Sequence, residues 1–442
     1  MKSGFTSGSI PRQLAAFSLP IWLANMLQAS MQLINNLWVG NLLGSEAFAA
    51  VTVATAILMV VLAFVLGVNN ATLTIFAQLK GTNNQQKINS YLSAFIIILT
   101  VISVALSIAG YVFSKPILVW MNAPDSILPD AELYLKIYFA GTALLVGYNF
   151  IGTALRAFGD SKTPLYFVLI ATLLVTVLNP VLVAGFGMGV EGAAYAMVLA
   201  QSIAFIYSLV YLSKRFKNYR FQLQTPKWIE IKNILGLGIP SGLQMIVIYA
   251  GLSVILALVN TLGEAAVAGF GAAQRLDNII LLPAVALGTA ATAMAAQNIG
   301  AQQWDRVTQI VRTGILYTVS IMLFISAALF IFAEPLIKLF VRDQNSVAFG
   351  TTYLKIVACF YPFIGLNFIF NGIVRGAGAM FQVLALNIIS LWILRVPLTY
   401  WATSIYGDSG VAIGVGLSFF ASCLCSFAYY RWGGWRKKTL FT

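Results

Sequence analysis

The sequence predicts an all-α membrane protein with about twelve transmembrane helices, arranged in two six-helix lobes that an internal repeat relates. Three observations lead to this fold class: the composition, the length of the apolar segments, and self-similarity at a fixed spacing. Of the 442 residues, 60% are hydrophobic and 9% are charged. Ordinary soluble domains carry roughly 25% charged residues. The composition therefore excludes a water-soluble globular domain.

Apolar segments long enough to cross a membrane recur along the whole chain, from residues 14–40 to residues 411–430. A helix of about 20 residues crosses a bilayer core of ~30 Å. The segments are continuously apolar, whereas the strands of a membrane barrel alternate and need only about 10 residues. The sequence therefore predicts a helical bundle.

The net charge of +13 has a sided distribution. If the N-terminus lies in the cytoplasm and the loops alternate, most of the 26 basic residues and few of the 13 acidic residues fall on that side. This is the positive-inside asymmetry of membrane proteins. It predicts a multi-pass membrane protein with both termini cytoplasmic. The net positive charge therefore does not require nucleic-acid binding as its explanation.

The two halves of the chain match at a fixed shift of 219 residues. The run YLKI at 134–137 recurs at 353–356. Further matches at this shift are Gly44 with Gly263, Gln78 with Gln297, Gly81 with Gly300, Arg156 with Arg375, and Gly159 with Gly378. Matched residues fall on the same side, as expected for parallel repeats with a cavity at their interface. We predict an N-terminal lobe at 1–213, a basic cytoplasmic linker at 214–232 and a C-terminal lobe at 233–442.

Residues that support catalysis or metal binding are scarce. The chain has no histidine, and its three cysteines lie in apolar segments. There is no ATP-binding loop of the GxxxxGK[ST] type, so energy for transport must come from an ion gradient unless a partner supplies it. We therefore expect no enzyme, no metal site and no cofactor.

Several motifs carry a family resemblance. NLWVG at 36–40 is followed by LGSEAFAA at 43–50, and RAFGDSKTP at 156–164, RLD at 275–277 and QNIGA at 297–301 lie further on. Together they resemble the multidrug and toxic compound extrusion family over essentially the whole chain. The resemblance implies two six-helix lobes, a location in the inner (plasma) membrane, and export of organic cations and drugs in exchange for protons or sodium ions. We therefore expect a monomeric antiporter that exports lipophilic organic cations by alternating access.

The chain departs from the family pattern in the N-terminal lobe. Many proton-coupled members carry an aspartate at the position of Asn35, and some carry a second one where Val183 follows Asn179. An amide does not exchange a proton near neutral pH. Proton coupling of that kind is therefore not expected in this lobe.

One acidic residue, Asp277, is predicted deep in the membrane. Placing a charge there costs at least ~2.5 kcal/mol, so an intramembrane acid is a functional hypothesis by default. Gln274 and Asn278 lie on the same helical face, and Arg395 in the predicted eleventh membrane span could reach the carboxylate. We expect these four residues to couple ion movement to transport. The alternative is that Asp277 and an arginine form a structural lock.

Protons are favoured over sodium ions as the coupling ion. A sodium site needs several oxygen ligands, whereas a solitary acid can take up a proton. Asparagine and glutamine carbonyls could still complete a sodium site.

Polar residues accompany aromatic residues on several helices, a combination that suits flat lipophilic cations. The predicted cavity residues are Gln32, Asn35, Tyr148, Asn149, Asn179, Gln244, Tyr249, Phe363, Asn367 and Asn371. Any single aromatic among them is more often a packing residue. Prolines inside helical runs, namely Pro20, Pro180, Pro240, Pro283 and Pro397, predict bends that act either as hinges or as static kinks.

A flippase for lipid-linked saccharides is the alternative function. A pyrophosphate headgroup would need several arginines in the central cavity. Only Arg275 and Arg395 are predicted inside the membrane, and both belong to the C-terminal lobe. The sequence therefore favours the exporter.

Overall fold

The computed structural model describes residues 4–215, 223–438 and 440–441, which are almost entirely helical. The helices are α1 (Ile10–Gly81), α2 (Gln85–Trp120), α3 (Leu128–Ala140), α4 (Thr142–Ala157), α5 (Lys162–Pro180), α6 (Gly189–Arg215), α7 (Trp228–Asn260), α8 (Glu264–Ile280), α9 (Leu282–Gly300), α10 (Trp304–Lys338), α11 (Gln344–Ala358), α12 (Tyr361–Gly376), α13 (Met380–Ile388), α14 (Val396–Tyr406) and α15 (Asp408–Trp432).

The described residues account for the twelve predicted spans. Nine helical segments are long and apolar enough to cross a membrane, and two bent pairs, α3 with α4 and α11 with α12, bring the number to eleven. The 72-residue α1 is broken at Gly44, whose φ of 86° and ψ of −171° are not helical. It therefore contains two spans, and the predicted membrane bundle is confirmed.

The internal repeat is visible in the backbone. Gly263, the repeat partner of Gly44, has φ 104° and ψ 173°, and it separates α7 from α8 just as Gly44 divides α1. Residues with a Cβ rarely adopt such positive φ values, which explains why both positions are glycine. The bent pairs also correspond, with bends of 51° between α3 and α4 and 54° between α11 and α12. The two lobes therefore have the same architecture.

Three of the five prolines expected to bend helices coincide with interruptions. The π-helical segment Val181–Gly185 follows Pro180, and a second one, Ile389–Arg395, ends two residues before Pro397. Pro283 lies at the start of α9, directly after the break from α8. Proline lacks the amide hydrogen that continues a helix, so a local change of hydrogen-bond pattern is expected at these places.

The predicted linker coincides with the passage from α6 to α7. Helix α6 ends at Arg215 and α7 begins at Trp228, so the range 214–232 overlaps both helix ends. Residues 216–222 of this linker lie outside the described residues. The boundaries of the two lobes stay a prediction.

The lobes meet through α9 and the second part of α1, residues 45–81. Most of α9 is buried, and its small side chains allow close helix packing. A Cβ on Gly81 would lie 2.0 Å from the carbonyl oxygen of Gln297, and one on Gly300 would lie 2.1 Å from that of Gln78. These two helices therefore cross in backbone contact.

Two glutamines join the lobes at this crossing in a reciprocal manner. The Gln78 side chain donates to the carbonyl of Gly376 at 2.7 Å, and the Gln297 side chain donates to the carbonyl of Ala157 at 2.7 Å. Both donors and both acceptors are related by the 219-residue shift. We call Gln78 and Gln297 the glutamine lock.

Both chain ends lie at the same end of the bundle as the glutamine lock. The backbone N–H of Phe5 donates to the Gln297 side chain at 2.9 Å, and Arg306 donates to the Phe5 carbonyl at 3.0 Å. Near the C-terminus, Lys87 donates to the Phe441 carbonyl at 3.2 Å. The side-chain hydrogen bonds between the described parts of the two lobes lie at this end. We call it the closed end.

Candidate ion-coupling site

Asp277 lies in the last turn of α8, just before the break at Leu281. It is 13 residues beyond the start of the helix at Glu264, which is roughly 20 Å at 1.5 Å per residue. The Leu281 backbone N–H still bonds to the Asp277 carbonyl at 3.0 Å. The side chain is only 8% exposed. The carboxyl is therefore enclosed by protein.

Two tyrosine hydroxyls hold the Asp277 carboxyl. Tyr361 donates to one oxygen, Oδ1, and Tyr353 donates to the other, Oδ2, at 3.5 Å. Tyr353 belongs to α11, and Tyr361 is the first residue of α12. The 54° bend between these two helices brings both hydroxyls to the same carboxyl.

Sequence reasoning missed both tyrosines. The available signal was the repeated YLKI run, since Tyr353 is its first residue. In the structure Tyr353 is 2% exposed, and its ring packs edge-on against Phe270 at 5.3 Å between centroids. Its hydroxyl is therefore held in place by packing.

Arg395 lies near Asp277 without a direct ion pair. Its Nε donates to Ser418 Oγ at 2.9 Å, and its guanidinium carbon lies 4.9 Å from the centroid of the Phe419 ring. It is close enough to interact electrostatically with Asp277. Among the described residues, however, no nitrogen–oxygen contact within 4.0 Å joins Arg395 to Asp277. The guanidinium is anchored by its own partners.

The other two predicted coupling residues, Gln274 and Asn278, have different surroundings. Gln274 is half-buried and interacts with the Tyr353 hydroxyl, so it belongs to the same network as Asp277. Asn278 is exposed, and the hydrogen bonds of the described residues do not connect it to the carboxyl. The structure thus brings together three of the four predicted coupling residues, namely Asp277, Gln274 and Arg395.

A related arrangement in the N-terminal lobe lacks the acid. The Asn35 side-chain amide donates to the hydroxyl of Tyr134, the repeat partner of Tyr353, at 3.4 Å. Tyr138 stacks on Tyr134 at 5.7 Å between centroids and interacts with Gln32. The side-chain oxygens of Asn35 and Asn179 are both buried without a hydrogen-bond partner. The buried tyrosine of this lobe thus contacts a neutral amide, whereas its repeat partner contacts a carboxyl.

A polar pair in α12 forms a third group. The Asn371 amide donates to Asn367 at 2.7 Å, and the Ser426 hydroxyl of α15 donates to Asn367 at 2.6 Å. One turn before Asn367, Phe363 packs edge-on against Phe420 at 4.9 Å. These side chains lie between α12 and α15, within the C-terminal lobe.

The remaining predicted cavity residues are dispersed. Tyr148 is buried beside Arg156, and Asn149 donates to the carbonyl of Leu145 on its own helix at 2.9 Å. Gln244 is buried, whereas Tyr249 is 42% exposed. The contacts of the described residues do not join these side chains to one another. A single cavity formed from all ten predicted residues stays a prediction.

The Asp277 site combines one carboxyl with two tyrosine hydroxyls. Among the described residues, no group of three or more histidine, cysteine, aspartate or glutamate side chains is placed to hold a metal. One carboxylate and two neutral hydroxyls can exchange a proton without any change of coordination.

Twelve spans, two repeat-related lobes joined at one end, and a carboxyl enclosed within one lobe define a membrane transporter of the two-lobe type. The MatE family model matches residues 20–181 and again residues 240–401. The chain belongs to this family, the multidrug and toxic compound extrusion transporters. The two matched ranges confirm the internal repeat. Members of the family are membrane transporters, which confirms the expectation that the chain is not an enzyme.

Individual relatives span nearly the whole chain. It is 49% identical over 439 residues to the "Probable multidrug resistance protein YpnP" of Bacillus subtilis, covering 99% of this chain and 98% of that protein. It is 24% identical over 426 residues to the "FAD transporter" of Shewanella oneidensis, covering 94% and 93%. A solved structure described as the outward-facing conformation of a multidrug resistance MATE family transporter superposes with a TM-score of 0.93 at 22% identity, covering 98% of each chain. That structural likeness shows the fold.

Proposed function

We propose that this protein is a drug efflux transporter that exports lipophilic organic cations in exchange for protons, with Asp277 as the coupling acid. The observation that carries the proposal is the buried Asp277 carboxyl, held by two neutral hydroxyls and left without a direct ion pair. The name of the Bacillus subtilis relative, a probable multidrug resistance protein, supports the substrate class.

The exchange follows from the opposing effects of burial and of a neighbouring cation. A carboxyl enclosed by protein favours its neutral, protonated form, whereas a cation nearby favours the carboxylate. A proton and an organic cation therefore compete for Asp277. Binding of the cation releases the proton, and a proton from the opposite side displaces the cation. This competition suffices for antiport.

Arg395 sets the balance of this competition. Its charge acts on Asp277 from nearby, but its hydrogen bond to Ser418 and its contact with Phe419 keep the guanidinium from pairing with the carboxyl. A direct pair would neutralise Asp277 permanently and exclude both proton and substrate. The anchoring of Arg395 therefore keeps the carboxyl available.

Alternating access requires the lobes to separate at the closed end. There the glutamine lock and the Gly81–Gly300 crossing join the lobes, so the cavity is sealed from this side. The charge asymmetry predicts that both termini are cytoplasmic, so the closed end faces the cytoplasm and this state of the transporter is outward-facing. Breaking the lock opens the cytoplasmic side.

The proposal is tested by efflux of a fluorescent lipophilic cation from proteoliposomes under an imposed proton gradient and then under a sodium gradient. We expect the proton gradient to drive efflux and Asp277→Asn to abolish it. Asn278→Ala serves as the matched control, because Asn278 is next to Asp277 but outside its network. Efflux that survives in Asp277→Asn would refute the coupling role.

The same experiment distinguishes the exporter from the flippase. In the structure Arg275 is exposed, with its guanidinium carbon 5.9 Å from the centroid of the Phe340 ring, so it does not join Arg395 beside the carboxyl. This arrangement disfavours a pyrophosphate headgroup as cargo. If the intact protein moves no cation under either gradient, the exporter is refuted and lipid scrambling assays become the next test.

A further inference from the structure

A cavity in the C-terminal lobe leads to the Asp277 network from the end of the bundle opposite the closed end. Its volume is about 340 Å³, and it is bounded by the beginnings of α8, α11 and α15. The residues that matter here are Ala265, Asn345, Ala348, Thr352, Tyr353 and Asp408. We call this cavity the vestibule. It lies within one lobe rather than between the lobes.

We propose that the vestibule is a proton pathway to Asp277, separate from the route of the exported cation, with Tyr353 as the relay between them. The inference rests on the proposed function, because it supplies the route for a proton that the proposed function requires. Tyr353 lines the vestibule, and its hydroxyl also contacts Asp277 Oδ2. One residue thus lies at both the cavity and the carboxyl.

The charge at the mouth of the vestibule favours cations. Each of the three helices that begin there carries an acid at its start: Glu264 in α8, Asp343 as the N-cap of α11, and Asp408 in α15. A helix N-terminus contributes roughly half a positive charge, which one carboxylate more than offsets. The hydrogen bond from the Ser346 backbone N–H, at 2.9 Å, lowers the pKa of Asp343, so this acid stays ionised.

The relay conserves every proton. A proton from water in the vestibule binds the Tyr353 oxygen while the proton of the Tyr353 hydroxyl moves to Asp277 Oδ2, so that Tyr353 ends as it began. Release runs the same steps in reverse. The two oxygens are 3.5 Å apart, and a good O–H···O bond is ~2.8 Å, so transfer requires an approach of about 0.7 Å.

The other groups that face Asp277 do not offer this route. Tyr361 of α12 donates to Oδ1, but it is not among the residues that line the vestibule. Arg395 approaches from the π-helical segment and is bound to Ser418. Removing the Tyr353 hydroxyl should therefore slow protonation of Asp277 while the acid itself stays in place.

The test blocks the vestibule chemically. Asn345 lines the vestibule and is exposed, and Ser126, its repeat partner in the other lobe, is also exposed. Asn345→Cys and Ser126→Cys are made in a background in which the three native cysteines are serine, and both are labelled with a cationic methanethiosulfonate reagent. Two rates are measured in proteoliposomes: proton flux driven by a cation gradient, and exchange of labelled for unlabelled cation.

We expect labelling of Asn345→Cys to slow proton flux at least about tenfold, a threshold below the roughly 100-fold that a positioned proton donor contributes at the low end, while cation exchange continues. Labelled Ser126→Cys should keep both rates. Tyr353→Phe, which keeps the ring and removes the hydroxyl, should reproduce the slow proton flux without any label.

Other results overturn the inference. If labelling slows neither rate, the vestibule is not the proton route; if it slows both, the vestibule is part of the cation path. The proposed function is tested separately, by cation efflux in the Asp277→Asn variant. A variant Asp277→Asn that still couples refutes the proposed function and the inference together, whereas an uncoupled Asp277→Asn with an ineffective block refutes the inference alone.

Discussion

Replacing the glutamine lock should open the closed end of the transporter. Gln78 and Gln297 are 4% and 0% exposed, and each donates one hydrogen bond of 2.7 Å to a carbonyl of the other lobe. Methionine has a similar length but cannot donate. A buried carbonyl left without a partner costs about 1–3 kcal/mol, so the double change destabilises the closed state by about 2–6 kcal/mol.

Even the lower figure shifts the equilibrium between closed and open states roughly 30-fold. The two single variants should differ, because Gln297 also accepts a hydrogen bond from the backbone of Phe5 at 2.9 Å. Gln297→Met should therefore open this end more than Gln78→Met. The two changes lie close together, so their effects need not add.

The assay is the electron–electron distance between spin labels at repeat-related positions on the two lobes. Gln86→Cys and Asp305→Cys place exposed labels at the closed end, in the background with serine at the three native cysteines. We expect the distance distribution to gain a longer component in the lock variants. The control is Gln382→Met, which removes a glutamine without a hydrogen bond between lobes. An unchanged distribution in the double variant would refute the reasoning.

Three further variants test other parts of the structure. Gly81→Ala should also lengthen the distance across the closed end, because its Cβ would lie 2.0 Å from a carbonyl oxygen of the opposite helix, whereas Gly236→Ala, which meets nothing within 4 Å, should not. Ser418→Ala should lower gradient-driven efflux, since it removes the 2.9 Å anchor of Arg395 and frees the guanidinium to pair with the coupling acid; unchanged efflux would contradict this. Asn35→Asp should add a second exchangeable proton in the N-terminal lobe, measured as greater proton release per bound cation, and equal release would contradict it.

The architecture was predictable from the sequence because apolar length and a fixed repeat are properties of long segments. The breaks at Gly44 and Gly263 follow the same repeat, and the matching glycines pointed to them. The repeat also paired Gln78 with Gln297, but it gave these residues no role. The Gln78 bond joins residues 298 positions apart in sequence and the Gln297 bond joins residues 140 positions apart, and no local pattern encodes which carbonyl each side chain reaches.

The site was predictable only in part. Asp277 stood out because an acid inside an apolar helix is costly, and this reasoning needs no knowledge of its neighbours. The two tyrosines that hold it were not predictable, because their positions depend on the bend between α11 and α12. The exposure of Asn278 was missed for a similar reason: helical spacing alone does not say which neighbour covers a helix face.

The most direct test of the central claim is proton release on binding of an organic cation to the purified protein in weakly buffered detergent solution, followed with a pH-sensitive dye. If proton and cation compete for Asp277, the intact protein should release protons in proportion to bound cation, and Asp277→Asn should bind the cation without release. Equal release from both proteins, or none from the intact protein, would contradict the account.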